Sequence, residues 1–170
     1  MEAYFAGGCF WCMAKPYDQV DGVTEVVSGY CGGDEADPTY EEVKKQLTGH
    51  RETVKIVFDP AVVSFDELLK VYFYNIDPFD DGGQFIDRGH SYTCAVYCVD
   101  GEQERAVTRL IEKVEAEYGQ KVCVSVEPYK KFYSAEEYHQ HYSEKNPIEY
   151  EKEYIESGRA ARKAEDKVKI

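Results

Sequence analysis

The sequence predicts an α+β fold: a single-domain α/β sandwich whose mixed, mostly antiparallel sheet is flanked by helices. Three observations carry this expectation. Short alternating segments rich in β-branched residues recur along the chain, capping-box signals open helices between them, and no linker or internal repeat divides the sequence.

Glu2 to Ala6 reads as a short buried strand stopped by Gly7-Gly8, and a helical pattern runs from Cys9 to about Gln19, closed by the Asp21-Gly22 turn signal. Val23 to Tyr30 alternates, which predicts a second strand. Beyond a Gly- and Asp-rich loop ending at Pro38, Thr39 caps a short helix with Glu42 three residues on. Val54, Ile56 and Phe58 share one face of a strand from Thr53 to Phe58, which Asp59-Pro60 ends. Ser64 caps the next helix, with Glu67 at its third position and Phe65, Leu68, Leu69 and Tyr72 at helical spacing. Asn75 to Gly89 is a polar loop, and a loop that long in a compact domain is either functional or disordered. Ser91 to Val99 is expected as a strand, Gly101 to Tyr118 as an amphipathic helix striped by Val107, Leu110, Ile111 and Val114, and Val122 to Val126 as a strand. Ser134 is expected to cap a helix through His141 with Glu137 completing the box, and Glu149 to Val168 is polar and expected to be helical.

Composition narrows the function classes. Of 170 residues, 43% are hydrophobic and 31% charged, with a mean hydropathy of -0.58. A chain of this size buries roughly 70% of its unfolded surface and needs no disulfide staple. No apolar run approaches the ~18 residues of a membrane span. Twenty Lys+Arg against 33 Asp+Glu leave a net charge of -13, which argues against nucleic acid or an anionic membrane as partner. The stretch Arg159 to Ile170 is the exception, five basic residues against two acidic ones, and reads as solubilising decoration. A strand beginning at Glu2 leaves no room for a signal peptide, so a cytoplasmic location is expected and the cysteines at 9, 12, 31, 94, 98 and 123 are expected to stay thiols.

Gly7-Gly8-Cys9-Phe10-Trp11-Cys12 falls at a strand-to-helix junction. There Cys9 meets unpaired N–H groups and the positive helix end, which stabilise a thiolate and are expected to lower its pKa from about 8.5. Phe10 and Trp11 beside a nucleophile can form a pocket for a small apolar group such as a methyl; the bland alternative is that cysteines and aromatics simply fill core. Zinc held by Cys9, Cys12, Cys94 and Cys98 is a further option, but Cys94 and Cys98 lie four residues apart on an expected strand, about 13 Å, too far for one tetrahedral ion. His139 and His141, two apart on a predicted helix, do not face one another.

Glu52 sits at a strand start, where a half-buried carboxyl can keep its proton and serve as a general acid. Asp87 ends the long loop, a position suited to presenting a polar group to a pocket. Of fifteen tyrosines, Tyr30, Tyr40 and Tyr92 stand out because each adjoins a Gly-rich or Pro-containing turn.

Gly8-Cys9-Phe10-Trp11, Gly29-Tyr30-x-Gly32-Gly33, Pro38-Thr39-Tyr40, Gly49-His50-x-Glu52, Asp59-Pro60, Asp87-x-Gly89-x-x-Tyr92 and Lys145-Asn146-Pro147 occur in the order seen in A-type peptide methionine sulfoxide reductases, and residues 3 to about 150 resemble that family. The resemblance implies a similar fold with a ferredoxin-like core, 1–150 as the catalytic domain and 151–170 as its polar helical extension. It implies reduction of methionine S-sulfoxide, free or in proteins, as a repair activity under oxidative stress. The substrate methyl would rest against Phe10 and Trp11, and Glu52 would protonate the sulfoxide oxygen with help from Tyr40 and Tyr92 while Asp87 orients the site. Cys9 would attack sulfur and become a sulfenic acid, a second thiol would condense with it, and thioredoxin or another thiol would reopen the disulfide. No cofactor or metal is implied, and the chain is expected to act as a monomer.

The chain departs from the family pattern in several places. No cysteine follows Cys123, Cys12 replaces a common Gly, Tyr92-Thr93-Cys94 replaces Tyr-Arg-Ser, Phe85-Ile86 precedes Asp87, and the C-terminal segment is long and polar. Cys12, Cys31, Cys94 or an external thiol can therefore resolve Cys9, with Cys12 first because the chain itself fixes its proximity. Two other readings stand beside this one. A glutaredoxin-like dithiol oxidoreductase also places Cys-x-x-Cys between strand and helix but needs a proline entering a strand, which neither Pro60 nor Pro128 supplies. A zinc-stabilised, non-enzymatic module would depend on bound metal for stability.

Overall fold

Six strands hydrogen-bond into one sheet in this computed structural model, which describes every residue except 163 and, at 164, the backbone alone. In chain order the strands are β1 (Glu2–Gly7), β2 (Val23–Cys31), β3 (Arg51–Phe58), β4 (Gly83–Gln84), β5 (Asp87–Arg88), β6 (Cys94–Cys98), β7 (Val124–Pro128) and β8 (Phe132–Ser134). β4 and β5 form a separate two-stranded ribbon; the others lie in the order β7-β6-β1-β3-β2-β8. All neighbours are antiparallel except β6 and β7. Parallel strands need a long crossover, here the helix α4 (Gly101–Tyr118). The mixed, mostly antiparallel sheet flanked by helices is thus as expected. The strand order, rather than a ferredoxin-like label, describes it.

Alternation sorts the side chains onto two faces. Ala3 and Phe5 of β1, Tyr30 of β2, Val54 and Ile56 of β3, and Cys94 and Val96 of β6 face the main core. It is covered by α1 (Phe10–Ala14), α3 (Phe65–Asn75) and α4, while α2 (Tyr40–Lys44) lies at its rim. Tyr4, Ala6, Cys31, Ala95 and Tyr97 form a smaller cluster on the opposite face. Because Tyr30 pairs with Glu52 and Cys31 with Arg51, Glu52 belongs to the α1 side, whereas Arg51 reaches Tyr97 and Glu127 on the other.

Both early capping boxes form as the sequence predicts: Thr39 with Glu42, and Ser64 with Glu67. Elsewhere the structure corrects the expectations. The first helix is five residues long and tightens into a single 3-10 turn at Lys15–Tyr17, where Pro16 enters. The strand expected from Ser91 begins at Cys94, after a tight turn at His90–Tyr92. Ser134 caps no helix: it pairs with Gly29 as the last residue of β8, so its backbone belongs to the sheet, and only a turn at Glu137–His139 follows. His141 takes a left-handed conformation (φ 51) and separates that turn from α5 (Tyr142–Lys145).

The expected helix from Glu149 to Val168 is α6 (Pro147–Glu156) followed by Gly158 at φ 91 and a short turn at Ala164–Asp166; position 163 lies outside the described residues. Gly158 reverses the chain and sends Arg159 inward, where it is 5% exposed. Part of the supposed solubilising tail is therefore buried. The long polar loop is ordered by Gln84, fully buried, whose amide bonds Asp77 on both its N–H and its carbonyl. Among the described residues no helix is long and apolar enough to cross a membrane.

Candidate active site

Cys9 stands at the N-cap of α1, where β1 has just ended, and the amides of Cys12 and Met13 both return to its carbonyl at 3.1 Å. The turn depends on Gly8, at φ 86: a Cβ there would lie 2.7 Å from both the Arg159 guanidinium and Gln84. Cys9 is half-buried and Cys12 buried. The neighbouring Cys12 thiol first, then burial, and further the Asp87 charge push the Cys9 thiol well up, opposite to the expected lowering, because a five-residue helix aligns too few amides to counter them. Cys12 moves the other way, held below the ordinary thiol by the neighbouring Cys9 thiol and by the Arg159 charge.

Glu52, 2% exposed, accepts the Phe10 amide at 3.0 Å. Burial first, and then neighbouring Cys9, push its carboxyl well above the usual range, against the single N–H that favours the ionised form. A carboxylic acid holding its proton beside a thiol pair is a proton donor. Tyr40 and Tyr92 belong to the same cluster: burial first and then the Glu52 charge raise both hydroxyls, so both stay protonated donors. Asp87, raised by burial, exerts its charge on Cys9, Glu52 and Tyr92. Seven residues singled out from sequence (Cys9, Phe10, Cys12, Tyr40, Glu52, Asp87 and Tyr92) thus converge.

Aromatic rings form one wall. Phe10 is 1% exposed, stacked against Tyr40 with ring centres 6.2 Å apart and 5.0 Å from His139, so it backs the wall rather than surfacing it. Trp11 is half-buried, stacks on Tyr142 at 3.8 Å and donates its indole N–H to His139 Nδ1 at 3.1 Å. Burial lowers the His139 pKa and keeps the ring neutral, as acceptance of that N–H requires.

Sequence reasoning missed His139, Tyr142, Glu136 and Arg159. Glu136 joins Tyr30 to Tyr40, accepting the Tyr30 hydroxyl at 3.0 Å and the Tyr40 amide at 3.2 Å. The available signal was the run of polar and aromatic residues from Glu136 to Tyr142, most of which the sequence reading took as a capped helix through His141.

The other cysteines are set apart. Cys31, expected in a mobile loop, is the fully buried end of β2, on the sheet face away from α1 and bonded to the Lys131 carbonyl. Burial pushes it up to about 12. Cys94 lies in the core beside Tyr72 and is pushed up to about 12 by burial. Cys94 and Cys98 do occupy one strand, and among the described residues no group of three His, Cys, Asp or Glu is placed to hold a metal ion.

Sulfur chemistry beside a buried acid is what this cleft is arranged for, and fold and site together define a cysteine-dependent oxidoreductase. Residues 1–169 match the profile of the family described as peptide methionine sulfoxide reductase. The chain is 48% identical over 160 residues to peptide methionine sulfoxide reductase MsrA of Bacillus pumilus (strain SAFR-032), covering 93% of this chain and 90% of that one. It is 46% identical over 161 residues to MsrA 2 of Staphylococcus aureus (strain MRSA252), covering 94% and 91%. Among solved structures, Mxr1 from Saccharomyces cerevisiae in reduced form superposes with a TM-score of 0.82 at 29% identity, over 87% of this chain and 86% of that one. Methionine sulfoxide reductase A of Corynebacterium diphtheriae gives 0.79 at 30% identity, over 86% and 75%. The chain belongs to the peptide methionine sulfoxide reductase family.

Proposed function

We propose that the chain reduces the S epimer of methionine sulfoxide, free or in proteins, by forming a sulfenic acid on Cys9. The observation that carries this reading is the junction of the two reacting groups: Glu52 bonds the amide of the residue that follows Cys9, and its burial keeps a proton available there. Glu52 passes that proton to the sulfoxide oxygen, with the Tyr40 and Tyr92 hydroxyls as further donors and Asp87 orienting the cluster. The Cys9 sulfur attacks the substrate sulfur and forms a sulfur–sulfur bond as it sheds its own proton. The sulfur–oxygen bond of the substrate breaks and the oxygen leaves as water with the protons of Glu52 and Cys9; water then adds to the Cys9 sulfur, the sulfur–sulfur bond breaks, methionine leaves with the electron pair, Glu52 regains a proton, and Cys9 carries the hydroxyl. Trp11 faces the methyl group, backed by Phe10.

Cys12 resolves the sulfenic acid because it lies one helical turn after Cys9, its amide bonded to the Cys9 carbonyl, whereas Cys31 faces the other side of the sheet. A thioredoxin-type dithiol or another thiol reopens the disulfide; the yeast relative Mxr1 has been captured in complex with Trx2. The work is protein repair under oxidative stress, and we place it in the cytoplasm, where six free thiols persist.

The test is thioredoxin-dependent reduction of each sulfoxide epimer by wild type, Cys9→Ser and Cys12→Ser. Turnover of the S epimer alone, none by Cys9→Ser, and a single equivalent of methionine per chain from Cys12→Ser are expected. Turnover by Cys9→Ser overturns the nucleophile, and full thioredoxin-linked turnover by Cys12→Ser overturns the resolving thiol.

A further inference from the structure

Arg159 is a buried cation, and the carboxylate whose charge reaches it is Asp87, without a hydrogen bond between them among the described residues. Its guanidinium donates to the Gly7 carbonyl at 2.7 Å and to the Asn75 carbonyl at 3.0 Å, touches the Met13 sulfur at 3.9 Å, and lies over the Phe85 ring, 4.7 Å from its centre. Its Nε is buried with no hydrogen-bond partner. Among the described residues no carboxylate forms an ion pair with it. A desolvated charge is costly unless an anion stands nearby. Cys12 and Arg159 line one cavity of about 270 Å³, and the guanidinium also abuts Gly8, directly before Cys9.

We propose that Arg159 is a positioning residue that holds the negative charge of the Cys9–Cys12 pair on the Cys12 sulfur, so that Cys12 is first the resolving nucleophile and later the leaving thiolate. This rests on the reading of Cys12 as the resolving thiol. Phe85 and Gly158 anchor Arg159, the first through its ring and the second by the chain reversal that turns the side chain inward. Phe85 takes φ 56, and the Ile86 amide next to it donates to the Ser157 carbonyl at 3.2 Å, so loop and tail are clasped together around the guanidinium.

In the resolving step Cys12 S⁻ attacks the sulfenic sulfur of Cys9. The sulfur–sulfur bond forms, the sulfur–oxygen bond breaks, and hydroxide leaves as water with the proton Cys12 gave up; Cys12 is oxidised and the Cys9 sulfur reduced. A dithiol reductant then attacks Cys9, the half-exposed sulfur, and expels Cys12 S⁻. The second thiol of the reductant displaces Cys9, and both electrons come from the reductant. The lowered Cys12 thiol and the raised Cys9 thiol agree with this division of charge. Asp87 from β5, Glu52 from β3 and Glu153 from α6 are carboxyls that oppose this charge, and Lys15, Glu151, Arg162 and Lys167 line the same cavity as Cys12.

The experiment follows one equivalent of S sulfoxide, without reductant, in wild type, Arg159→Met and Arg159→Lys, quantifying methionine release, Cys9 sulfenic acid by trapping, and the disulfide by mass. In Arg159→Met methionine release is expected near the wild-type yield, while disulfide formation at pH 7 slows about tenfold, the loss of thiolate for one unit of pKa. Its rate should recover as pH rises toward 9, and Arg159→Lys should stay close to wild type. Disulfide formation in Arg159→Met as fast as wild type at pH 7 overturns the proposal. A wild-type disulfide lacking Cys12 instead overturns the underlying reading. Should Arg159→Met fail to fold, the thiolate absorbance of Cys9→Ser minus that of Cys9→Ser/Cys12→Ser reports Cys12 directly; titration below the ordinary 8.5 supports the proposal, and at or above it overturns it.

Discussion

The Phe10 amide donates to Glu52 Oε2 at 3.0 Å, across 42 residues of sequence. That bond ties the helix carrying the nucleophile to the strand carrying the acid, and among the described residues it is the one hydrogen bond to a carboxyl that is 2% exposed. Glu52 therefore pays heavily for ionisation and little for keeping its proton.

If the role of Glu52 is to present a hydrogen to the sulfoxide oxygen, its amide isostere retains part of it. Glu52→Gln is expected to keep kcat/KM for the S sulfoxide within about tenfold of wild type, and Glu52→Ala to lose on the order of a hundred- to a thousandfold. Equal losses in the two variants would move the donor elsewhere.

Stability should respond to the same group. The folded pKa of Glu52 lies above its unfolded value, so in the window between them the native chain holds a proton that the unfolded chain has released, and stability falls as pH rises through it. Glu52→Gln removes this penalty. Urea midpoints of variant and wild type should nearly coincide at pH 4, where both states are protonated, and the variant should unfold at higher urea at pH 8. A variant weaker than wild type at pH 8 contradicts the assignment.

Mass mapping after a single turnover without reductant should find one disulfide, Cys9 to Cys12, with Cys31 and Cys94 still alkylatable after denaturation. A bond to Cys31 would require β2 to turn a residue through the sheet, since Cys31 faces away from α1.

Thr39 and Ser64 form the same capping box on different helices. Thr39→Ala and Ser64→Ala should each cost about 1 kcal/mol of stability in denaturant unfolding. Only Thr39→Ala should also raise KM several-fold, because Tyr40 is the first residue of α2 and stacks on Phe10.

Local signals made much of this legible. Alternation placed Val54, Ile56 and Phe58 on one face, capping boxes marked two helices, and the ordered motifs pointed to Cys9, Glu52, Tyr40, Asp87 and Tyr92 as one site. What failed was non-local. Ser134 carries a helix-cap signal, but pairing with Gly29, over a hundred residues earlier, claims its backbone for the sheet. The Cys9 thiol followed the neighbouring Cys12 thiol and burial rather than the helix end. Arg159 looked like surface charge because a basic cluster in an acidic chain carries no sign of the reversal at Gly158 that buries one of its members.

The contact from Arg159 to the Gly7 carbonyl spans 152 residues, and this has a bearing on biosynthesis. Cys9 leaves the ribosome about 150 residues ahead of the guanidinium beside its turn. A nascent chain stalled between the two carries the nucleophile without that neighbour, so the reactive centre is completed only once position 159 has emerged and folded back.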